Sequence, residues 1–110
     1  MSGDPIDFAH LERITGGDRN LEAEVLELFD QQSNILLARI VQESPRVVAA
    51  LAHTLCGSAR GIGAWRVAQA AEEVERFAAE PAASLSGATD RLSAAIGEAQ
   101  ATIADLRQTR

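Results

Sequence analysis

The stretch Leu51-Ala-His-Thr-Leu-Cys-Gly-Ser-Ala-Arg-Gly-Ile-Gly63 has the periodicity of an amphipathic helix. On a helical wheel at about 100° per residue, with Val48 at zero, an apolar stripe falls within about 60° of the origin. That stripe consists of Leu51, Ala52, Leu55, Ala59 and Ile62. By the same count His53, Arg60 and Gly57 lie at about 140°, about 120° and about 180°. We therefore predict a helix that buries its leucines and presents an imidazole to solvent.

Gly57 leaves the helix surface beside this histidine without a side chain. Glycine inside a helix costs up to about 1 kcal/mol relative to alanine. A helix that accepts this cost next to an exposed imidazole suggests that a partner comes close to it. A lone histidine on a helix is more often an ordinary surface residue, so a functional interpretation of His53 needs support from other residues.

The composition is typical of closely packed helices. The 110 residues are enough for a single domain, residues 1–110, with a hydrophobic core. Hydrophobic residues make up 46% of the chain and aromatic residues only 4%, with alanine and leucine prominent. This balance favours helices over sheets, and the chain has no alternating run rich in valine, isoleucine and threonine that would predict a strand.

The charge pattern excludes several classes of partner. The net charge is −6, and all ten cationic residues are arginines scattered along the chain, without the basic stripe of a nucleic-acid-binding protein. The single cysteine, Cys56, excludes an internal disulfide and fits a reducing compartment. No signal peptide and no stretch of about 18 apolar residues is found. We expect a soluble, cytoplasmic monomer that binds neither nucleic acid nor membrane.

Capping residues and apolar spacing predict five helices. The predicted segments are a short helix after Asp7, helices over about 19–43, 45–60 and 64–79, and a last helix after a link at 82–86. Gly61 and Gly63 are interpreted as helix-stop glycines. Four long helices with short links pack most simply as an antiparallel up-down four-helix bundle, with the short N-terminal helix across one end.

The apolar spacing also predicts which side chains form the core. Beyond the stripe already described, the expected core positions are Phe8, Leu11 and Ile14; Leu21, Val25, Leu28, Phe29, Ile35, Leu36 and Ile40; Val67, Ala68, Ala71, Val74 and Ala78; and Leu92, Ile96, Ala99, Ile103 and Leu106. Trp65 is expected to pack at the end of the bundle, and His10 to be structural or idle.

The residues around His53 resemble the motif of histidine phosphotransfer (HPt) domains, His-x-Leu-Lys-Gly-Ser/Ala-Ser/Ala followed by a glycine and a further helix. Here the motif reads His53-Thr-Leu-Cys-Gly-Ser-Ala59, followed by Gly63 and by Ala71-Glu-Glu-Val-Glu75. The resemblance extends over the whole chain, because Gly-Gly-Asp18 precedes a long helix that contains Leu28-Phe29, and the helix order and length are suitable.

The resemblance implies a role for each matching position. His53 would accept a phosphoryl group on its outer ring nitrogen from the aspartyl phosphate of a response-regulator receiver domain, and pass it on. Glu75, 22 positions after His53, would orient the imidazole, and Gly57 would give the receiver room. The partners implied are receiver domains or a hybrid histidine kinase. The chain would be a phosphoryl carrier without a kinase site or a cofactor of its own, and Mg²⁺ would sit on the receiver.

Cys56 departs from the family pattern, which usually has a lysine at this position beside the histidine. Arg60, two turns from His53 on the same face, is the nearest cationic substitute and a possible contact of the phosphoryl group, with Arg46 two turns the other way. The loss of the lysine leaves open a degenerate HPt domain, a helical adaptor that docks receivers or other signalling proteins without being phosphorylated.

Three further interpretations are weaker. An enzyme that uses Cys56 with His53 would need a third orienting group and an oxyanion site. A carboxylate-bridged metal bundle would need Glu-x-x-His pairs on two helices, and the sequence has none, so no metal site is expected. Glu75 could also be one more solvated acid beside Glu72 and Glu73.

Overall fold

The computed structural model describes residues 4–80 and 84–109, and five helices make up most of them. The helices are α1 (Phe8–Thr15), α2 (Arg19–Ile40), α3 (Pro45–Ile62), α4 (Trp65–Ala78) and α5 (Leu85–Thr109). No strand occurs in the described part of the chain. Helices α2 to α5 pack in chain order, α5 closes against α2, and α1 lies against α2 and α3. The predicted all-helical class and four-helix bundle with an additional N-terminal helix are therefore confirmed.

The helix ends follow from local capping chemistry, with some corrections to the predicted bounds. Asp7 and Asp18 cap α1 and α2 through their carboxylates, as expected. Helix α2 ends at Ile40, three residues earlier than predicted. Helix α3 continues to Ile62, so Gly61 is not a helix stop but lies inside the last turn, and Gly63 alone ends the helix with φ 83°.

Part of the predicted link at 82–86 can be compared with the structure. Residues 82 and 83 lie outside the described part of the chain, and α5 already begins at Leu85. In the described residues, none of the helices has an apolar stretch long enough to cross a membrane.

The core is formed by the predicted stripes of α3, α4 and α5. The fully buried members include Ala52, Leu55, Ala59, Val67, Ala71, Val74, Leu92 and Ala99. Ala78 and Leu106 are only partly buried and lie at the edge of this core. The stripe of α3 is buried along its whole length, so the opposite side of that helix, with His53, faces solvent.

The predicted stripes of α1 and α2 are partly wrong. Five residues expected in the core are exposed: Phe8, Ile14, Leu21, Leu28 and Ile35. The buried positions of α2 are Glu22, Leu26, Phe29, Ser33, Leu36 and Ile40, which alternate steps of four and three. Phe29, Leu36 and Ile40 are buried as predicted, but two further buried positions are polar, and the predicted Leu21, Leu28 and Ile35 lie on the exposed side. Ser33 Oγ donates to the Phe29 carbonyl at 2.7 Å and Thr15 Oγ1 donates to Glu22 Oε2 at 3.3 Å, so neither polar group is buried without a partner.

Candidate functional site on the face of α3 and α4

His53 lies in the middle of α3 with 77% of its side chain exposed. Its position follows from the α3 periodicity, because Ala52 and Leu55 on either side of it point into the core and are completely buried. The imidazole therefore stands on a rigid, well-packed helix and yet remains open to solvent. This combination suits a group that must be presented to another molecule in a fixed orientation.

Glu75 of α4 reaches across to the His53 ring. Its two carboxylate oxygens lie 3.3 Å (Oε1) and 3.2 Å (Oε2) from Nδ1. Since a carboxylate only accepts hydrogen bonds, Nδ1 carries the proton and donates a hydrogen bond to Glu75. In the neutral ring the lone pair is then on Nε2, the ring nitrogen that does not contact Glu75. The contact between these two residues that the family resemblance implies is present.

Gly57 lies one turn after His53 and leaves an open surface. Beyond its own helical backbone and chain neighbours, a Cβ atom added to Gly57 would meet no described atom within 4 Å, so packing within the described chain does not require a glycine there. Its φ is not in the left-handed region either, because among the described glycines only Gly16, Gly17 and Gly63 have a positive φ. A requirement for glycine at this position would therefore come from outside the chain.

Cys56 lies under this face, with only 4% of its surface exposed. Burial raises the pKa of its thiol, an effect that nearby Glu72 and Glu75 increase and Arg60 opposes. A raised pKa keeps the sulfur in the unreactive thiol form. The interpretation of Cys56 as a nucleophile thus loses its physical basis, and the residue acts as a small apolar side chain.

Arg60 lies on the same face but is already paired. Its Nη2 donates to Glu72 Oε2 of α4 at 2.6 Å, with 57% and 50% of the two side chains exposed. Sequence reasoning treated Glu72 only as a solvated acid and missed this pair. The His53–Glu75 contact fixes how α3 and α4 are aligned, with later residues of α3 opposite earlier residues of α4. This alignment brings Arg60 close to Glu72 and could have predicted the pair. Arg46 is exposed in the first turn of α3.

The second histidine is held in a different way, at the end of the bundle covered by α1. His10 Nε2 donates to the Gly61 carbonyl at 3.1 Å, and its ring lies edge-on to Trp65 with centroids 5.0 Å apart. Trp65 Nε1 donates to Asp7 Oδ2 at 2.9 Å. This bond and the capping bond from the His10 amide lower the pKa of Asp7. Trp65 lies at this end of the bundle as expected, although it is 41% exposed, and the partners of His10 were not foreseen.

Comparison with known proteins adds independent information. The family model described as Hpt domain matches residues 19–109. The crystal structure of the histidine phosphotransferase ShpA from Caulobacter crescentus is similar, with a TM-score of 0.71 and 30% sequence identity over 96% of this chain and 99% of that one. A comparison with curated proteins gave no match. The match to the family model and the similarity to a solved relative over nearly its full length together show that this chain belongs to the Hpt domain family.

Proposed function

We propose that this chain is a phosphoryl carrier of a two-component phosphorelay, with Nε2 of His53 as the acceptor. The observation that carries this proposal is the His53–Glu75 pair. One ring nitrogen is held by a carboxylate, and the other faces solvent on a side chain that is 77% exposed. Membership of the Hpt family and the similarity to a histidine phosphotransferase support the same function.

The transfer step uses this arrangement directly. The Nε2 lone pair attacks phosphorus of an aspartyl phosphate, an N–P bond forms, and the bond from phosphorus to the carboxylate oxygen breaks. The aspartate leaves as a carboxylate with the bonding electron pair. The ring keeps its Nδ1 proton and becomes positively charged, and the Glu75 carboxylate at 3.2 Å stabilises that charge. The reverse reaction returns the phosphoryl group to another aspartate.

The partner supplies the rest of the chemistry. The aspartate and the Mg²⁺ that neutralises phosphoryl charge belong to a receiver domain, either of a response regulator or of a hybrid histidine kinase. This chain acts as a monomeric carrier in the cytoplasm and has no kinase activity. The docking surface is the exposed face around His53, which is small and partly apolar with a charged rim. It comprises Arg46, Ala49, Ala50, Gly57 and Arg60.

Transfer from a panel of phosphorylated receiver domains tests the proposal. Wild-type chain is expected to take label from at least one receiver, and His53→Gln is expected to take none. His10→Gln is the matched control, since it removes the other histidine and should leave labelling unchanged. Labelling of His53→Gln at the wild-type level would refute His53 as the acceptor.

A second function is favoured by one observation, the replacement of the family lysine by buried Cys56. A degenerate domain could dock receivers as an adaptor without carrying a phosphoryl group. In the same panel, an adaptor would bind receivers equally well with His53 or Gln at that position, and neither protein would acquire label. Calorimetric titration of the receivers with both proteins, beside the transfer assay, separates the two functions.

A further inference from the structure

On the α3 side, no exposed side chain lies between Arg60 and His53 on the face that they share. The two residues are two turns apart, about 10.5 Å along the helix axis, and differ by only about 20° around it. Between them on this face lie Cys56, which is buried, and Gly57, which has no side chain. No side chain of α3 between these two turns is placed to block the arginine from reaching a group attached to the imidazole.

Side-chain direction favours Arg60 over the other cation of α3. Helical side chains lean towards the N-terminus, so a residue covers the turn that precedes it. His53 leans in the same direction, but the arginine side chain is longer, so Arg60, which follows His53 in α3, reaches towards the imidazole, whereas Arg46, which precedes it, reaches away. In the unphosphorylated chain, however, the guanidinium of Arg60 is held by Glu72 at 2.6 Å.

We propose that Glu72 is a positioning residue that holds Arg60 aside until His53 is phosphorylated, when Arg60 exchanges Glu72 for the phosphoryl oxygens. This inference rests on the proposed function, because it concerns the phosphorylated state of His53. Arg60 then contacts the phosphoryl group, which Cys56, in place of the family lysine, cannot do. Glu72 competes with the phosphoryl group for Arg60 and so limits the lifetime of the phosphohistidine.

The energetics favour such an exchange. The Arg60–Glu72 pair is more than half exposed on the arginine side and half exposed on the glutamate side, so water screens it and its contribution is small. A phosphoryl group carries more negative charge than one carboxylate and can accept two parallel hydrogen bonds from a guanidinium. Arginine therefore gains by leaving Glu72 once the phosphoryl group is in place. In the metaphosphate-like transition state of hydrolysis the phosphoryl oxygens carry less negative charge than in the phosphohistidine, so a cation on them stabilises the phosphohistidine more and slows its loss.

Chemical phosphorylation tests the exchange without any receiver. Phosphoramidate serves as the donor: Nε2 attacks its phosphorus, the donor's P–N bond breaks, and ammonia leaves. After removal of the donor, the half-life of phosphohistidine is measured for wild type, Glu72→Gln, Arg60→Ala and the double variant. Glu73→Gln is the matched control, because Glu73 also pairs with an arginine at 2.6 Å, but on the α5 side of α4. The Nε–Hε resonance of Arg60 is followed by NMR in the same samples.

The expected result is a half-life about two- to fivefold longer in Glu72→Gln and shorter by a similar factor in Arg60→Ala. The double variant should match Arg60→Ala, Glu73→Gln should match wild type, and the Arg60 resonance should shift on phosphorylation. An effect of Glu72→Gln that persists without Arg60, or an Arg60 resonance that does not move, would overturn the inference.

The same samples separate this inference from the proposed function. If phosphoramidate labels His53 but no receiver does, the proposed carrier function fails, and the exchange is still decided by the half-lives. If phosphoramidate leaves His53 unlabelled in the intact chain, both are refuted.

Discussion

The α1 end of the bundle and the α3–α4 face each contain a histidine and a glycine. Neighbouring residues enclose the pair at the α1 end, whereas the pair on the α3–α4 face is open. At the α1 end the His10 ring donates from Nε2 to Gly61 and lies against Trp65. Gly63 there has φ 83°, and a Cβ at this position would lie 3.0 Å from the Asp7 carbonyl oxygen. Both residues are fixed by their neighbours.

On the α3–α4 face the corresponding residues are open. His53 donates from Nδ1 to Glu75, and its Nε2 has no hydrogen-bond partner among the described residues, the opposite tautomer to that of His10. A Cβ added to Gly57 would project into open space, in contrast to one added to Gly63. The comparison shows that residue type alone does not distinguish a site from a structural contact. The free nitrogen and the empty space beside it make the distinction.

The largest expected effect comes from replacing the two glycines of this comparison, Gly63 and Gly57, by alanine. Gly63→Ala should destabilise the fold by about 2 kcal/mol or more, because alanine is strained at positive φ and its Cβ meets backbone. Gly57→Ala should instead stabilise the fold by up to about 1 kcal/mol through helix propensity. Urea unfolding followed by circular dichroism measures both. Equal destabilisation by the two substitutions would contradict the contrast.

The next effect concerns the carboxylate that sets the His53 tautomer. A hydrogen bond to a charged group is worth about 1.5–3 kcal/mol, and solvent screening places the His53–Glu75 bond near the lower end of this range. Glu75→Ala should therefore slow transfer by about tenfold. Glu73→Ala, on the other flank of α4, should leave the rate unchanged. Single-turnover transfer from a phosphorylated receiver measures both. A wild-type rate in Glu75→Ala would remove Glu75 from the mechanism.

Gly57→Ala should also slow transfer, although it stabilises the fold. A methyl group added to a packed contact costs at least about 1 kcal/mol, which corresponds to about fivefold. Gly97→Ala on α5 is the matched control, since Gly97 is also helical and an added Cβ there would likewise meet open space. Its stability should rise in the same way while its transfer rate stays at the wild-type value. If both variants transfer equally fast, the receiver does not need the open surface at Gly57.

The smallest expected effect is the pH dependence of the stability that Asp7 contributes at the α1 end. The pKa of Asp7 is lowered from 3.8, first by the hydrogen bond from Trp65 and then by the bond from the His10 amide. A lowered pKa contributes stability that is present above the unfolded pKa and is lost as pH falls through the folded one. Asp7→Asn should therefore be less stable than wild type near pH 6, and the difference should shrink below about pH 3.8. Unfolding curves at pH 6 and pH 3 test this, and transfer by Asp7→Asn at pH 7 should remain normal.

Much of the fold could be predicted because it depends on local pattern. The stripes of α3, α4 and α5 repeat at helical spacing, and each lies against the core as predicted. Helix α2 could not be predicted as well, because it carries apolar residues on two adjacent faces. Which face is buried is decided by the packing of α2 against α1, α3 and α5, and the face that they cover includes the polar residues Glu22 and Ser33.

The site was predicted unevenly for a similar reason. The exposure of His53 follows from the phase of a single helix, and the position of Glu75 was expected from the spacing of the family motif. The pairing of Arg60 with Glu72 depends on how α3 and α4 are aligned, and the partners of His10 lie at the far end of α3 and the start of α4.

The sequence by itself determined that this chain forms a helical bundle with an imidazole on its surface, because burial of an apolar stripe requires only helical periodicity. Only the tertiary structure decided which face of α2 is buried, which carboxylate holds Arg60, and which histidine keeps a free nitrogen. These features depend on distances between residues far apart in the chain, and those distances are set when the helices pack.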